Sequence, residues 1–352
     1  MTKWIFITGG NGYIGSHIAA QLKDTTDYSV MLIDRRAKQL PHTTRYCDIV
    51  ADEDFASPVI KDAIRDYRPA AVVHLAANST VGPSMLNPAD TWENNVIKTV
   101  SLLECCARNS IRNFIFASSS SVYADQDSAV DETSLLAPYS PYASTKLAGE
   151  MLLKDYYGAH GLRSVSFRFF NVAGSHNKYD LGELNGSSHL LAKVMESAVH
   201  NSDFTVFGRD WPTPDLTAIR DYTHVMDIAD AVLKAIEWLP QNPGSHAINL
   251  GGGQGYSVQT VIDTAEMLLG KQLSYRYGPR RDGDSAMRFS NNSKALELLN
   301  WKPSRSMNEM ILDSYKWYNS NMYQSLTQAN ILYSLAAESQ GASAPGWIAA
   351  FD

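Results

Sequence analysis

Residues 4–15 read WIFITGGNGYIG, a short apolar, β-prone run (Trp4–Thr8) followed at once by glycines at positions 9, 12 and 15. That order is a strand, a tight turn and a helix start. Gly9 permits the turn, Gly12 lets backbone approach a pyrophosphate, and Gly15 lets the helix pack on the strand. The helix N-terminus then offers unpaired N–H groups and a positive dipole end to phosphate. Asp34 ends the next apolar run, about 20 residues on, where a carboxylate accepts hydrogen bonds from ribose hydroxyls. Arg35 and Arg36 come next and would suit a 2′-phosphate, but Asp34 would repel that phosphate. The reading is a dinucleotide without the extra phosphate.

Outward from this stretch, apolar runs alternate with amphipathic ones. Strands are predicted at Trp4–Thr8, Ser29–Asp34, Ala70–Ala76, Asn113–Ser119 and Ser164–Phe169, and helices at Gly12–Lys23, Thr91–Asn109 and Tyr142–His160. Near-continuous apolar strands alternating with helices predict an α/β fold, a doubly wound parallel sheet of Rossmann type covered on both faces. Past Asn171 the texture changes. A Gly/Asn/Ser-rich loop (Val172–Ser187) precedes a helix (Leu190–His200) and a loop dense in Trp, Pro and Asp (Gly208–Thr217). Further elements are expected at Met226–Leu239, His246–Leu250, Ser257–Leu269 and Ser293–Leu299. The expected organisation is a dinucleotide domain over 1–171, joined by later segments such as 220–250. A smaller α/β C-terminal lobe for substrate spans 172–320, and a tail of no assigned role spans 321–352.

At roughly 150 residues per domain, 352 residues suit two such lobes. Lys and Arg number 30 against 37 Asp and Glu, a net charge of −7, which argues against nucleic acid or an anionic membrane surface as the main partner. The three cysteines form no disulfide framework or metal pattern and read as buried free thiols. The histidines are scattered, so no metal site is expected. With no apolar run of membrane-spanning length, a soluble cytoplasmic protein is expected.

The chemistry centres on Tyr142 and Lys146. Four residues apart in a helix, they share a face at about 5–6 Å between Cβ atoms. A nearby ammonium favours the phenolate, and a tyrosine so tuned can take a proton from a hydroxyl while hydride leaves the same carbon. With 18 tyrosines in the chain such a pair also arises by chance. The neighbouring FIFASSSSVY segment strengthens it, because it ends a strand with hydroxyls at the carboxyl edge of the sheet, and Ser119 can meet both phenol and substrate oxygen.

These residues resemble the extended short-chain dehydrogenase/reductase superfamily and, within it, the UDP-sugar 4-epimerases, from about Lys3 to Trp317. The resemblance implies that Gly9, Gly12, Tyr13, Ile14 and Gly15 line the nucleotide loop and that the cofactor is NAD. It implies that Asp34 and Arg35 lie at its ribose, Asp48 and Ile49 at its adenine, and Leu75, Ala76 and Ala77 beneath its pyrophosphate. Asn95 and Phe170 are implied on the nicotinamide side, and Ser119, Tyr142 and Lys146 as the catalytic trio. FGRDWPTPDLTAIRDYTHVMDIADA (207–231) is similar to the uridine loop of those enzymes. The resemblance assigns substrate contacts to Asn171, His189, Leu190, Thr205, Val206, Phe207, Arg220, Arg281 and Asp284. Ser79 stands where many relatives carry lysine. Arg288 stands where relatives carry tyrosine or a small residue, and it is expected to narrow the sugar pocket or to contact an unusual sugar.

The activity that the resemblance implies is reversible 4-epimerisation of a UDP-hexose, UDP-glucose or UDP-galactose, by transient oxidation at C4, in a homodimer. Alternatives are the same reaction on an N-acetylhexosamine or a pentose, or a nucleotide-sugar dehydratase or reductase. A 4,6-dehydratase would show Asp-Glu where Ser120 and Ser121 stand.

Overall fold

A computed structural model describes residues 2–35, 41–184, 189–281 and 284–328, with the side chains of 41–43 and 177 left aside. The strands are β1 (Trp4–Thr8), β2 (Ser29–Ile33), β3 (Ile49–Ala51), β4 (Ala71–His74), β5 (Asn113–Ser119), β6 (Arg163–Phe169), β7 (Asn171–Ala173), β8 (Phe204–Phe207), β9 (Ile219–His224), β10 (Ser245–Leu250), β11 (Gly255–Ser257), β12 (Tyr275–Gly278) and β13 (Met287–Arg288). The helices are α1 (Tyr13–Thr25), α2 (Pro58–Tyr67), α3 (Val81–Leu86), α4 (Pro88–Trp92), α5 (Lys98–Arg108), α6 (Pro141–His160), α7 (Leu190–His200), α8 (Val225–Trp238), α9 (Val258–Leu269), α10 (Ser293–Leu299) and α11 (Met307–Tyr318).

Seven strands form one sheet in the order β10-β6-β5-β4-β1-β2-β3, every neighbouring pair parallel. Alternate side chains serve opposite faces. Ile5, Ile7, Val30, Leu32, Ile115 and Phe167 join α1 and α8 in one core. Phe6, Met31, Ile33, Val72, Phe114 and Phe116 join α2, α5 and α6 in the other. Both faces are thus apolar, as a doubly wound sheet requires. The chain leaves β1 toward β2 on one side and later places β4 on the other side of β1. The carboxyl ends of β1 and β4 therefore flank the switch point where such sheets bind ligands.

The second lobe carries two small sheets. In one, β9 pairs with β7, β11 and β13; in the other, β8 pairs with β12. Its core includes Val194, Met195, Ile262, Ile311, Trp317 and Tyr318. Tyr323 and Leu326 from the tail pack into this core, and residues 329–352 lie outside the described residues.

Three expectations need correction. The helix expected over Thr91–Asn109 contains a π-helical turn at Glu93–Ile97, which turns Asn94 and Asn95 inward. The loop expected over Val172–Ser187 contains β7 and a short turn at Asn177–Tyr179, with 185–188 outside the described residues. Cys105 and Cys106 are buried free thiols, but Cys47 is only half-buried. Among the described residues no helix is long and apolar enough to cross a membrane.

Two buried histidines make the fold acid-sensitive. Burial is the main cause pushing both His17 and His74 down to about 3. A buried imidazole that resists protonation stabilises the fold above its unfolded pKa of about 6.5 and loses that contribution as pH falls below it. Between pH 6.5 and 5 each should cost about 2 kcal/mol of stability. Urea midpoints measured across that range should fall steeply, and His74→Gln should remove about half of the slope.

Candidate active site

The nucleotide loop is packed too closely for side chains. Gly9 holds φ +68°, and a Cβ there would meet the Ala76 nitrogen at 2.8 Å. A Cβ on Gly15 would come within 2.5 Å of the Gly9 carbonyl oxygen. Gly12 starts α1, and no side chain caps the helix among the described residues, so the first N–H groups stay available for phosphate. Asn11 is buried, and neither end of its side-chain amide has a partner among the described residues. Its backbone N–H donates to Asp34 Oδ2 at 3.2 Å, which places that carboxylate over the loop at the end of β2. An uncapped helix, an unsatisfied buried amide and a carboxylate at ribose distance from the loop fit a dinucleotide.

Beside the loop, Leu75, Ala76 and Ala77 come directly after β4, and Leu75 N–H donates to Thr8 O at 3.1 Å. Arg35 is exposed, 3.9 Å from Asp54, and Arg36 lies outside the described residues. Asp48 is more constrained than its sequence position suggests. Its carboxylate takes Lys23 Nζ at 2.9 Å and the Val30 N–H at 2.8 Å, while Ile49 sits on the edge strand.

The trio comes together from β5 and α6. Ser140 caps α6 by accepting the Ala143 N–H at 3.2 Å, and Pro141 opens its first turn. That start places Tyr142 and Lys146 one turn apart against the end of β5. Lys146 Nζ is buried, 5.7 Å from the Tyr142 ring centroid and 5.0 Å from that of Phe116. The Asn95 amide is fully used. It accepts the Asn78 N–H at 2.7 Å and donates to Asn78 O at 3.0 Å and to Thr145 Oγ1 at 3.1 Å, inside the Tyr142–Lys146 turn. The π turn therefore braces the catalytic turn of α6.

The electrostatics correct one expectation, that the Lys146 charge lowers the Tyr142 phenol. Burial instead raises it, and a hydrogen bond with Ser119 pulls it partly back. Burial also lowers Lys146 to about 7, so desolvation acts on both partners and outweighs their mutual effect.

Beneath the trio lies a network that sequence reading missed. Arg168 on β6 pairs with Glu150 on α6 at 2.7 Å, both largely buried. Glu150 Oε1 also accepts the Ser118 hydroxyl at 2.5 Å. Arg168 donates to the Tyr123 hydroxyl at 2.8 Å, and that hydroxyl donates to Asn249 Oδ1 at 2.6 Å. A glutamate eight residues after Tyr142, on the same helix face, is the one signal available in the sequence.

Opposite stands the second lobe. Arg220 Nη2 lies 3.8 Å from Asp284, and Arg281 stacks 3.8 Å over the Phe207 ring. His189, held by Glu183 at 2.8 Å and raised mainly by that charge, precedes Leu190 at the start of α7 and feels Arg281. Phe170 is buried with Val122 and Tyr123, and the Asn171 amide donates to Asp221 O at 3.0 Å. Along β8 the side chains alternate. Thr205 and Phe207 are half-buried, while the Val206 side chain is buried in the core and can offer substrate only its backbone. Arg288 does not project freely toward substrate. It donates to Ser120 O at 2.8 Å and Tyr123 O at 3.1 Å, and pairs with Asp125. Arg288 ties the turn after Ser119 to β13, where it is in register with Arg220 on β9, so the two halves meet beside the end of β5.

A glycine-rich loop at the switch point of a parallel sheet, with Ser119 at the end of β5 and Tyr142 and Lys146 on the first turns of α6, fits an enzyme of the extended short-chain dehydrogenase/reductase class. Residues 5–251 match the model of the NAD dependent epimerase/dehydratase family, and the chain belongs to that family. It is 34% identical over 332 residues to the UDP-glucose 4-epimerase of Yersinia pestis, covering 90% of this chain and 98% of that one. The fold matches a UDP-glucose-4-epimerase from Stenotrophomonas maltophila crystallised with NAD and formylated UDP-arabinopyranose (TM-score 0.85, 32% identity, 94% of this chain and 100% of that one). It also matches UDP-glucose 4-epimerase from Bifidobacterium longum in complex with NAD+ and UDP (TM-score 0.85, 29% identity, 91% and 99%).

Gly9→Ala tests the loop. A left-handed φ on a residue with a Cβ costs about 1–3 kcal/mol, before the clash with Ala76. NAD affinity by isothermal titration should fall about 10-fold or more; unchanged affinity would contradict the cradle.

Proposed function

We propose that the chain interconverts UDP-glucose and UDP-galactose, with NAD held at the β1–α1 loop. The observation that carries this reading is the junction at the end of β5, where Arg288 binds the turn after Ser119 while standing in register with Arg220, itself 3.8 Å from Asp284. Gly9, Gly12, Tyr13, Ile14 and Gly15 line the pyrophosphate, Asp34 accepts from the adenosine ribose, and Asp48 and Ile49 edge the adenine. When bound, NAD supplies hydride uptake and return at the sugar C4. Tyr142 takes the proton of the 4-hydroxyl and later gives it back, and Ser119 hydrogen-bonds the same oxygen. Lys146 orients the cofactor side and adds positive charge beneath the phenol. Arg220 and Arg281 pair with the diphosphate, Phe207 covers the uracil, and Asp284 accepts from the uridine ribose. This grip is concentrated on the nucleotide end, which leaves the sugar free to present either face.

The same reading includes a homodimer. Trp92 on α4, Ile97 before α5 and Met151 on α6 are exposed apolar side chains, Ile97 at 58% and Met151 at 63%. A second copy covering this face would bury them.

Proton NMR of UDP-galactose with the enzyme should show UDP-glucose forming without net cofactor consumption. Tyr142→Phe should lower kcat by about 10²–10⁴-fold while UDP still binds; full activity in that variant would overturn the assignment. In sedimentation, the wild type should run as a dimer and Ile97→Glu/Met151→Glu as a monomer.

A further inference from the structure

The turn after β5 is held by a residue from the other lobe. Residues Ser120–Val122 form one 3₁₀ turn, closed by the Tyr123 N–H on Ser120 O at 3.2 Å. The Ser119 hydroxyl belongs to that turn, accepting the Ser121 N–H at 3.2 Å and lying at hydrogen-bond distance, 3.0 Å, from Ser121 Oγ. Whatever moves the turn moves the hydroxyl.

Arg288 reaches the turn from β13. Its Nη1 donates to Ser120 O at 2.8 Å and to Tyr123 O at 3.1 Å, and its Nη2 meets Asp125 Oδ1 at 2.5 Å. Nη1 thus bridges both ends of the turn while Nη2 anchors the planar guanidinium on Asp125, an arrangement a lysine ammonium on a flexible stem would hold less rigidly. The Arg288 side chain is largely buried, at 10% exposure, and of its partners only Asp125 is exposed. The base of the strut is also fixed. Arg288 is in register with Arg220 on the neighbouring β9. Two residues on, Ser290 donates from both N–H and hydroxyl to Asp221, at 2.9 and 2.6 Å. Phe289 O accepts the Val130 N–H at 2.9 Å, and the Asn291 N–H donates to Val130 O at 2.8 Å, so this segment is zipped to the loop beyond the turn.

We propose that Arg288 is a positioning residue that locks the 120–123 turn and so fixes the place of the Ser119 hydroxyl at the end of β5. The proposal rests on the reading of Tyr142 as the acid–base group. Its consequence comes from the balance at that phenol. Burial raises it and the Ser119 hydrogen bond opposes the rise, so a loosened turn leaves the phenol less acidic. The nucleotide grip at Arg281, Asp284 and Phe207 needs no contact from Arg288.

The test compares wild type, Arg288→Met and Arg288→Lys as NAD-loaded enzymes. Tyr142 is titrated by ultraviolet difference absorbance against Tyr142→Phe in each background, alongside the pH profile of kcat, the KM for UDP-galactose and the Kd for UDP. Arg288→Met should lower kcat by about 10-fold or more and move the Tyr142 titration and the rising limb of the profile to higher pH, with KM and the UDP Kd within about threefold. Arg288→Lys, which keeps the charge but not the fork, should fall between the two. If Arg288→Met does not fold, a smaller shift in the same direction in Arg288→Lys carries the test. A rise in KM with an unmoved Tyr142 titration would overturn the proposal and make Arg288 a substrate contact. Unchanged kcat and titration would also overturn it. A wild type inactive on UDP-galactose would refute the epimerase reading, whereas the tyrosine titration would still judge the strut.

Discussion

The Glu150–Arg168 ion pair is the constraint on which the catalytic geometry depends. It is buried, and it joins three segments that are distant in sequence: the end of β5 through Ser118, β6 through Arg168, and α6 through Glu150. Tyr142 and Lys146 lie on the same helix as Glu150, and Ser119 is the residue next to Ser118. Displacement of this pair would shift the helix bearing the phenol relative to the strand bearing the hydroxyl. Leaving one charge of a buried pair alone costs about 3–5 kcal/mol, so the pair enforces one arrangement more than it adds stability. Tyr123 and Asn249 extend it to β10, so a segment far along the chain also fixes the floor of the site.

From that floor the two walls have different duties. The dinucleotide wall is made of backbone and small residues, where any added atom collides. The opposing wall is made of cations, an aromatic ring and one carboxylate, with Arg220 beside Asp284 and Arg281 over Phe207, the groups proposed to hold the diphosphate and nucleoside. Firm attachment at one end of a substrate and freedom at the other is what inversion by turning the sugar requires. The Arg288 strut connects the walls, which gives the second lobe influence over the serine as well as over the nucleotide.

Much of this was legible in the sequence, for identifiable reasons. β1 and β5 lie where their apolar runs begin and end, because a strand buried on both faces has little freedom to be anything else. α7 matches the helix expected at Leu190–His200, and α10 has the bounds of the element expected, without a type, at Ser293–Leu299. The glycine spacing and the Tyr142–Lys146 pair are local signals and needed no tertiary knowledge. β8, β9, β12 and β13 were missed because they are short and defined by partners more than 30 residues away, as Phe204 is by Tyr275. The π turn at Glu93–Ile97 was invisible to a helical pattern because it changes the phase by one residue without breaking the helix. The Tyr142 phenol was misjudged because sequence spacing reports a nearby charge but not the burial that outweighs it. Arg288 was expected to narrow the sugar pocket or contact an unusual sugar, and its bonds to Ser120 and Tyr123, about 165 residues away along the chain, were beyond any local pattern.

In the proposed reaction the hydrogen leaving the sugar C4 returns to the same carbon without passing through water, while Tyr142 handles only the hydroxyl proton. UDP-galactose carrying deuterium at C4, converted in ordinary water and read by NMR, measures this directly. The account predicts UDP-glucose that keeps the deuterium at C4. Loss of the label to solvent would mean that carbon-bound hydrogen leaves as a proton, and would contradict it.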